Sequence, residues 1–222
     1  MNLRNNIEKF APYLRPGCRL IAVSKTQPTE KIWEAYLTGQ RLFGENKVQE
    51  LTTKYEALPK DIQWHMIGHL QSNKVKYIAP FISLIHSVDS VKLLQEIDKQ
   101  ARKANRVIDC LLQIHIAEEE TKFGFSEEEV FQLFQSETFT QLRNIKITGL
   151  MGMATLTENT EQIRKEFRGL KSLFEKIKSQ YTHERVDMKE LSMGMSNDFT
   201  TAIEEGCTFI RIGTGIFGER NL

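Results

Sequence analysis

RIGTGIFGERNL, residues 211–222, is the stretch on which the fold reading turns, because it carries the pattern G-x-G-x-x-G at Gly213, Gly215 and Gly218. Two architectures give that pattern different jobs. In a dinucleotide-binding sheet it opens a βαβ unit, starts a helix, and is followed about 20 residues later by an acid that holds a ribose. Here it follows the apolar run Phe209–Ile212, and little sequence remains after Gly218. In an α/β barrel, the loops after strands 7 and 8 form a phosphate site together with a helix N-terminus. The expectation is therefore the closing loop of a barrel rather than a dinucleotide fingerprint.

Upstream, short apolar runs alternate with segments of helical periodicity. The predicted strands are Leu20–Val23, Arg41–Phe43, Trp64–Met66, Leu84–Ser87, Cys110–Ile116, Ile147–Met151, Glu190–Ser192 and Phe209–Ile212. Between them, Val48, Leu51, Tyr55 and Leu58 recur at helical spacing. Asp89 is the predicted cap of a helix with the stripe Leu94, Ile97, Ala101 and Ala104. Ser126 and Glu129 form a capping box before Val130 and Phe134. Ile163, Phe167, Leu170, Phe174 and Ile177 make a long stripe, and Gly39 and Gly206 sit where helix C-terminal glycines belong. No linker or low-complexity stretch divides the chain. This predicts one α/β domain over residues 1–222, a (β/α)8 TIM barrel with an additional N-terminal helix. A doubly wound open sheet is the alternative, since pattern alone does not show closure.

Composition narrows the classes. Apolar residues make up 40% of the chain and charged residues 27%, as in a folded globular protein. The formal net charge of +1 gives no global field to draw nucleic acid or an anionic membrane. The uncharged run 77–88 is too short to span a bilayer. MNLRNNIEKFAPYLRPG (1–17) has no apolar core of signal-peptide length; it reads as an amphipathic helix with Leu3, Ile7, Phe10 and Leu14 on one side. Cys18, Cys110 and Cys207 are odd in number, far apart in sequence and in no C-x-x-C arrangement. Free thiols in a reducing cytoplasm are expected, with neither a disulfide framework nor a zinc site.

Candidate site residues cluster at strand ends. Strand 7 runs into LSMGMSND (191–198) before the helical stripe Phe199, Ala202 and Ile203, which puts Ser196 near an N-cap. Unpaired amides and the helix dipole favour an anion there. Strand 8 ends in Arg211, Ile212, Gly213 and Thr214, bringing a glycine backbone and a hydroxyl beside that helix start. Strand 1 ends at Lys25, on the face where barrel active sites lie. A partly desolvated amine at such a place can form a Schiff base, and an ordinary surface lysine is the competing reading. Lys47, Lys74 and Lys122 also follow strands, so position alone does not single out Lys25. His65 and His69 would present two ligands on one face only in a helix, yet the stretch starts in a strand and crosses Gly68, so no metal is expected. Met151, Met153, Met193 and Met195 are expected to line the barrel mouth.

In order, AVSKTQP (22–28), FGENKVQE (43–50), WHMIGHLQSNK (64–74), HSVDS (86–90), TKFGF (121–125), LSMGMSNDF (191–199) and RIGTGIFG (211–218) resemble the pyridoxal phosphate homeostasis protein family. These are single-domain relatives of the alanine racemase barrel domain, and the resemblance covers nearly the whole chain. It implies a pyridoxal 5′-phosphate (PLP) cofactor held as a covalent aldimine on Lys25. It further implies Ser196, Gly213 and Thr214 around the phosphate, Arg211 facing the pyridine nitrogen and Asn46 in the pocket wall. His65 and Met193 are further pocket candidates, and Lys122 is a candidate second reactive amine. Gln27 and His115 stand where many relatives carry other side chains. A permanently cationic Arg211 disfavours protonation of the ring nitrogen and so weakens the ring as an electron sink. Racemisation needs two acid/base groups, and in alanine racemase-like enzymes the second comes with a β domain that this length does not encode. The expectation is a cytoplasmic, monomeric, non-catalytic PLP carrier in vitamin B6 homeostasis. Its partners would be PLP and, transiently, PLP-dependent apo-enzymes, with no nucleic acid or membrane. Alternatives are a PLP-dependent amino-acid racemase or decarboxylase, and a Schiff-base aldolase using Lys25 without a cofactor.

Overall fold

The computed structural model describes residues 2–119 and 123–219; among these the strands pair side by side in sequence order and close into a parallel barrel. The strands are β1 (Arg19–Val23), β2 (Leu42–Glu45), β3 (Gln63–Met66), β4 (Leu84–Val88), β5 (Ile108–Ile114), β6 (Ile145–Gly152), β7 (Val186–Ser192) and β8 (Phe209–Ile212). Closure is made by β1 against β8, with Ile21 opposite Arg211 and Ala22 opposite Ile212. The barrel expectation holds and the open sheet is discarded. Lys122 lies outside the described residues.

Strand alternation sorts the side chains into two layers. Ile21, Leu84, Leu111, Met151 and Phe209 pack together inside the barrel. Their chain neighbours Leu20, Ile85, Leu112, Leu150 and Ile210 face the helices and join the larger outer core. Helices close that outer layer. The longest, Thr160–Gln180, buries Ile163, Phe167, Leu170, Leu173, Phe174 and Ile177 along one stripe. Each such side chain is worth about 1.5–3 kcal/mol when fully buried. Among the described residues, no helix is long and apolar enough to cross a membrane.

Local signals held unevenly. The Ser126–Glu129 capping box is formed in both directions. Gly39 and Gly206 take φ of 101° and 86°, as helix-ending glycines do. Asp89 is not the cap of helix Val91–Lys103: Ser90 is, its side chain accepting the Leu93 amide, while Asp89 pairs with His69 at 3.0 Å. Strand β7 begins four residues before the predicted Glu190, because Asp187 and Lys189 hide it. Asp187 is satisfied across the sheet by Lys146 at 2.8 Å. Strand β5 begins and ends two residues earlier than predicted. Cys18 and Cys207, distant in sequence, lie 3.6 Å apart (Sγ–Sγ) as buried free thiols beside the β1–β8 seam.

The N-terminal helix (Leu3–Glu8) packs on the helix Thr214–Phe217, which the opening G-x-G-x-x-G stretch forms. Asn6 donates to the Ile216 carbonyl at 2.8 Å. A Cβ on Gly215 would lie 2.8 Å from Phe10 Cζ and 3.0 Å from Ile212 Cγ2. Phe10 is buried and held edge-on by Phe199, so its ring has nowhere to retreat. Gly215→Ala is therefore expected to destabilise the protein by about 1–3 kcal/mol, outweighing the gain in helix propensity of roughly 1 kcal/mol. A lowered urea midpoint checks this.

Candidate functional site

Inward alternation carries one residue after another from the strand ends to the C-terminal mouth of the barrel. Lys25 follows β1, Asn46 follows β2, Ile67 follows β3 and Met153 follows β6. Met195 and Ser196 follow β7, and β8 supplies Arg211, then Gly213 and Thr214. Together with Val23 they line one cavity of about 160 Å³. All six predicted site residues, Lys25, Asn46, Ser196, Arg211, Gly213 and Thr214, are therefore brought together. An open groove of about 590 Å³ adjoins this cavity, sharing Met153, Met195, Ser196 and Thr214 with it. A larger depression of about 640 Å³ beside helix Thr160–Gln180 contains none of the six residues. Lys47 and Lys74 do not line the cavity.

The cavity is graded in depth. Arg211 is buried at the floor, Lys25, Asn46 and Gly213 are half-buried in the walls, and Ser196 and Thr214 are exposed at the rim. Ser196 is not itself the cap of its helix (Phe199–Glu204); Asp198 occupies the N-cap position and accepts the Met195 amide at 2.5 Å. Gly68 shapes the wall from behind. A Cβ there would stand 2.6 Å from the Asn46 carbonyl oxygen and 2.7 Å from Asn46 Cα, so only glycine allows the two loops to touch.

Arg211 is the start of a buried polar chain that sequence reasoning missed. Its Nη1 donates to Ser192 Oγ at 2.6 Å and its Nη2 to the Gly152 carbonyl at 3.1 Å. Ser192 Oγ lies 2.9 Å from His86 Nδ1, and His86 Nε2 lies 2.9 Å from His65 Nδ1. A guanidinium has only donors, so the Ser192 oxygen accepts from it, which leaves the Ser192 hydroxyl proton available to donate to His86 Nδ1. Neutral His86 then donates from Nε2 to His65. Burial pushes His65 down to about 3, with Arg19 adding to the effect, and pushes His86 well below its ordinary value, with His65 and Arg211 adding. Both imidazoles are thus neutral at pH 7, as the chain requires. Burial also lowers Arg211, to about 10, which leaves it cationic at pH 7.

His65 is therefore inside the barrel two links beneath Arg211 and does not line the cavity. Met193 faces outward into the helix-side core, and Met151 lies in the inner cluster; only Met153 and Met195 of the four methionines reach the mouth. The available signal was polar residues at inward-facing strand positions, His65, His86 and Ser192, flanked by apolar outward ones. His69 pairs with Asp89 instead of joining His65, and among the described residues no cluster of potential metal ligands occurs.

Residues 1–221 match the family model for the alanine racemase N-terminal domain. Over 203 residues the chain is 47% identical to the pyridoxal phosphate homeostasis protein of Aquifex aeolicus, covering 91% of this chain and 87% of that one. The structure of PipY from Synechococcus elongatus without PLP aligns with a TM-score of 0.90 at 35% identity, covering 97% of this chain and all of that one. The same protein with PLP bound aligns with a TM-score of 0.85.

Proposed function

Because this chain belongs to the pyridoxal phosphate homeostasis protein family, we propose that it is a PLP-binding protein that holds the cofactor on Lys25 and serves as a carrier without catalytic turnover. The observation that carries the reading is a cavity that combines a lysine and a glycine in its wall, a buried arginine at its floor and hydroxyls at its rim. That gradient fits PLP, whose phosphate stays charged and hydrated at the rim while its flat ring offers a nitrogen acceptor to the arginine floor.

When bound, the cofactor supplies a reactive aldehyde on an electron-withdrawing ring. Lys25 would be the residue that holds the aldehyde, as an amine able to form a Schiff base with loss of water. The hydroxyls of Ser196 and Thr214 and the Gly213 backbone hold the phosphate at the rim. The amides of Thr214 and Gly215 add donors there, whereas those of Ile216 and Phe217 are already given to the Gly213 carbonyl. Asn46 fixes the ring edge from the β2 side. Arg211, cationic at the floor, would face the ring nitrogen and disfavour its protonation, which would restrain carbanion chemistry on the ring. The exposed rim leaves a path for release to an apo-enzyme. The reading takes residues 1–222 as one monomeric, cytoplasmic PLP-binding unit.

The test is to incubate purified protein with PLP, reduce with borohydride and locate the adduct by peptide mass spectrometry. One pyridoxyl group on the Lys25 peptide is expected. No adduct, or one confined to other lysines, overturns the reading; exchange of an amino-acid α-proton with solvent, lost in Lys25→Ala, favours an enzyme instead.

A further inference from the structure

Lys25 is flanked by two residues whose backbones are fastened to a set of largely buried charges outside the cavity. Glu45, at the end of β2, points away from the barrel interior and is fully buried. Its Oε1 accepts from the Ser24 hydroxyl at 2.6 Å and from the Lys54 ammonium at 2.7 Å. Lys54, on the helix Val48–Ala57, also donates to the Ser24 carbonyl at 2.8 Å and to Glu50 Oε2 at 3.1 Å. The three protons of the ammonium thus meet three acceptors. Glu50 Oε2 in turn accepts the Thr26 amide at 2.8 Å.

Thr26 has φ of 65°, the left-handed region that a β-branched residue enters only under constraint. Its own hydroxyl donates to the Lys25 carbonyl at 2.6 Å. The residue before Lys25 is therefore tied at both its side chain and its carbonyl, and the residue after it is bent and held by Glu50. Burial raises the Glu45 carboxyl, against the pull of Lys54 and Ser24, whereas at Glu50 the Thr26 amide and Lys54 outweigh burial and lower it. The ion pair thus stays charged at its Glu50 end, where it meets the backbone.

We propose that Glu45, Lys54 and Glu50 form a clamp that positions Lys25 for covalent capture of an aldehyde ligand, with Glu50 as the positioning residue that keeps Thr26 left-handed. The proposal rests on the reading of Lys25 as the attachment site. It accounts for Ser24, Thr26, Glu45 and Glu50, motif residues to which the cavity gives no role.

Removing Glu45 or Lys54 would strand a buried charge and threaten folding. Glu50 is partly exposed and lies on a helix, so Glu50→Ala is the useful variant. Two ligands separate positioning from general damage: PLP, and pyridoxine 5′-phosphate, which has the ring and phosphate but no aldehyde. Glu50→Ala is expected to keep its circular dichroism spectrum and to bind PLP about tenfold more weakly, while pyridoxine 5′-phosphate affinity stays within about twofold. Adding Thr26→Asn should restore most of the PLP affinity, because asparagine enters the left-handed region readily. Unchanged PLP affinity, equal losses for both ligands, or no rescue by Thr26→Asn overturns the clamp alone. Wild-type protein that takes up neither ligand overturns the cavity assignment, and the clamp with it.

Discussion

Lys25→Ala is expected to abolish borohydride-fixed pyridoxyl label and to weaken PLP binding by about 100-fold, roughly 2.7 kcal/mol. The substitution removes the amine and with it the covalent bond, but leaves Arg211 at the floor and Ser196, Gly213 and Thr214 at the rim. Residual binding should therefore persist, non-covalent and with the spectrum of the free aldehyde. Lys47 and Lys74 serve as internal controls, since both follow strands yet lie outside the cavity. Their substitution should leave label and affinity unchanged. Label retained in full by Lys25→Ala would remove the basis of the proposed function.

The second large effect is on stability against pH. His65 and His86 are neutral in the folded protein and have depressed affinity for protons, while in the unfolded chain each titrates near its ordinary value of about 6.5. The unfolded state therefore binds more protons once the pH drops below about 6.5, and folding stability must fall with it. For His65, the stabilisation is fully present above that value and is lost progressively until the folded group protonates at about 3. Between pH 7 and 5 this amounts to about 2 kcal/mol for His65, and His86 acts in the same direction. Urea unfolding at the two pH values measures it. His65→Gln, whose amide oxygen still accepts from His86, should flatten the profile. A wild-type midpoint that stays level from pH 7 to 5 would show that the two rings are not held neutral.

The barrel was legible because strand and helix periods differ and because alternation survives in most strands. Strand β7 was read short where Asp187 and Lys189 break the apolar run, since the partner that satisfies Asp187, Lys146, lies on another strand. Ser196, Arg211, Gly213 and Thr214 were legible as strand-end residues, a class that barrel topology gathers whatever the intervening sequence. Lys25 stood among other strand-end lysines, and Asn46 came only with the family resemblance. The arrangement beneath them was not legible. Ser192 meets His86 across 106 residues of chain, and Glu45 meets Lys54 from strand to helix, so neither contact leaves a local pattern. Isolated histidines, serines and charges in a single sequence look the same whether buried in a chain of hydrogen bonds or solvated.

The β1–β8 seam has a consequence for how the protein comes to fold. Ile21 pairs with Arg211, so the ring closes by contacts that span nearly the whole chain, the most demanding kind in loop entropy. Lys25 lies on one side of that seam, and Ser196, Arg211, Gly213 and Thr214 lie on the other. A chain whose ends have not met holds two half-sites, each without the chemistry of the other. Occupancy of the cavity therefore requires a closed seam, and a ligand that spans both halves favours the closed ring by mass action.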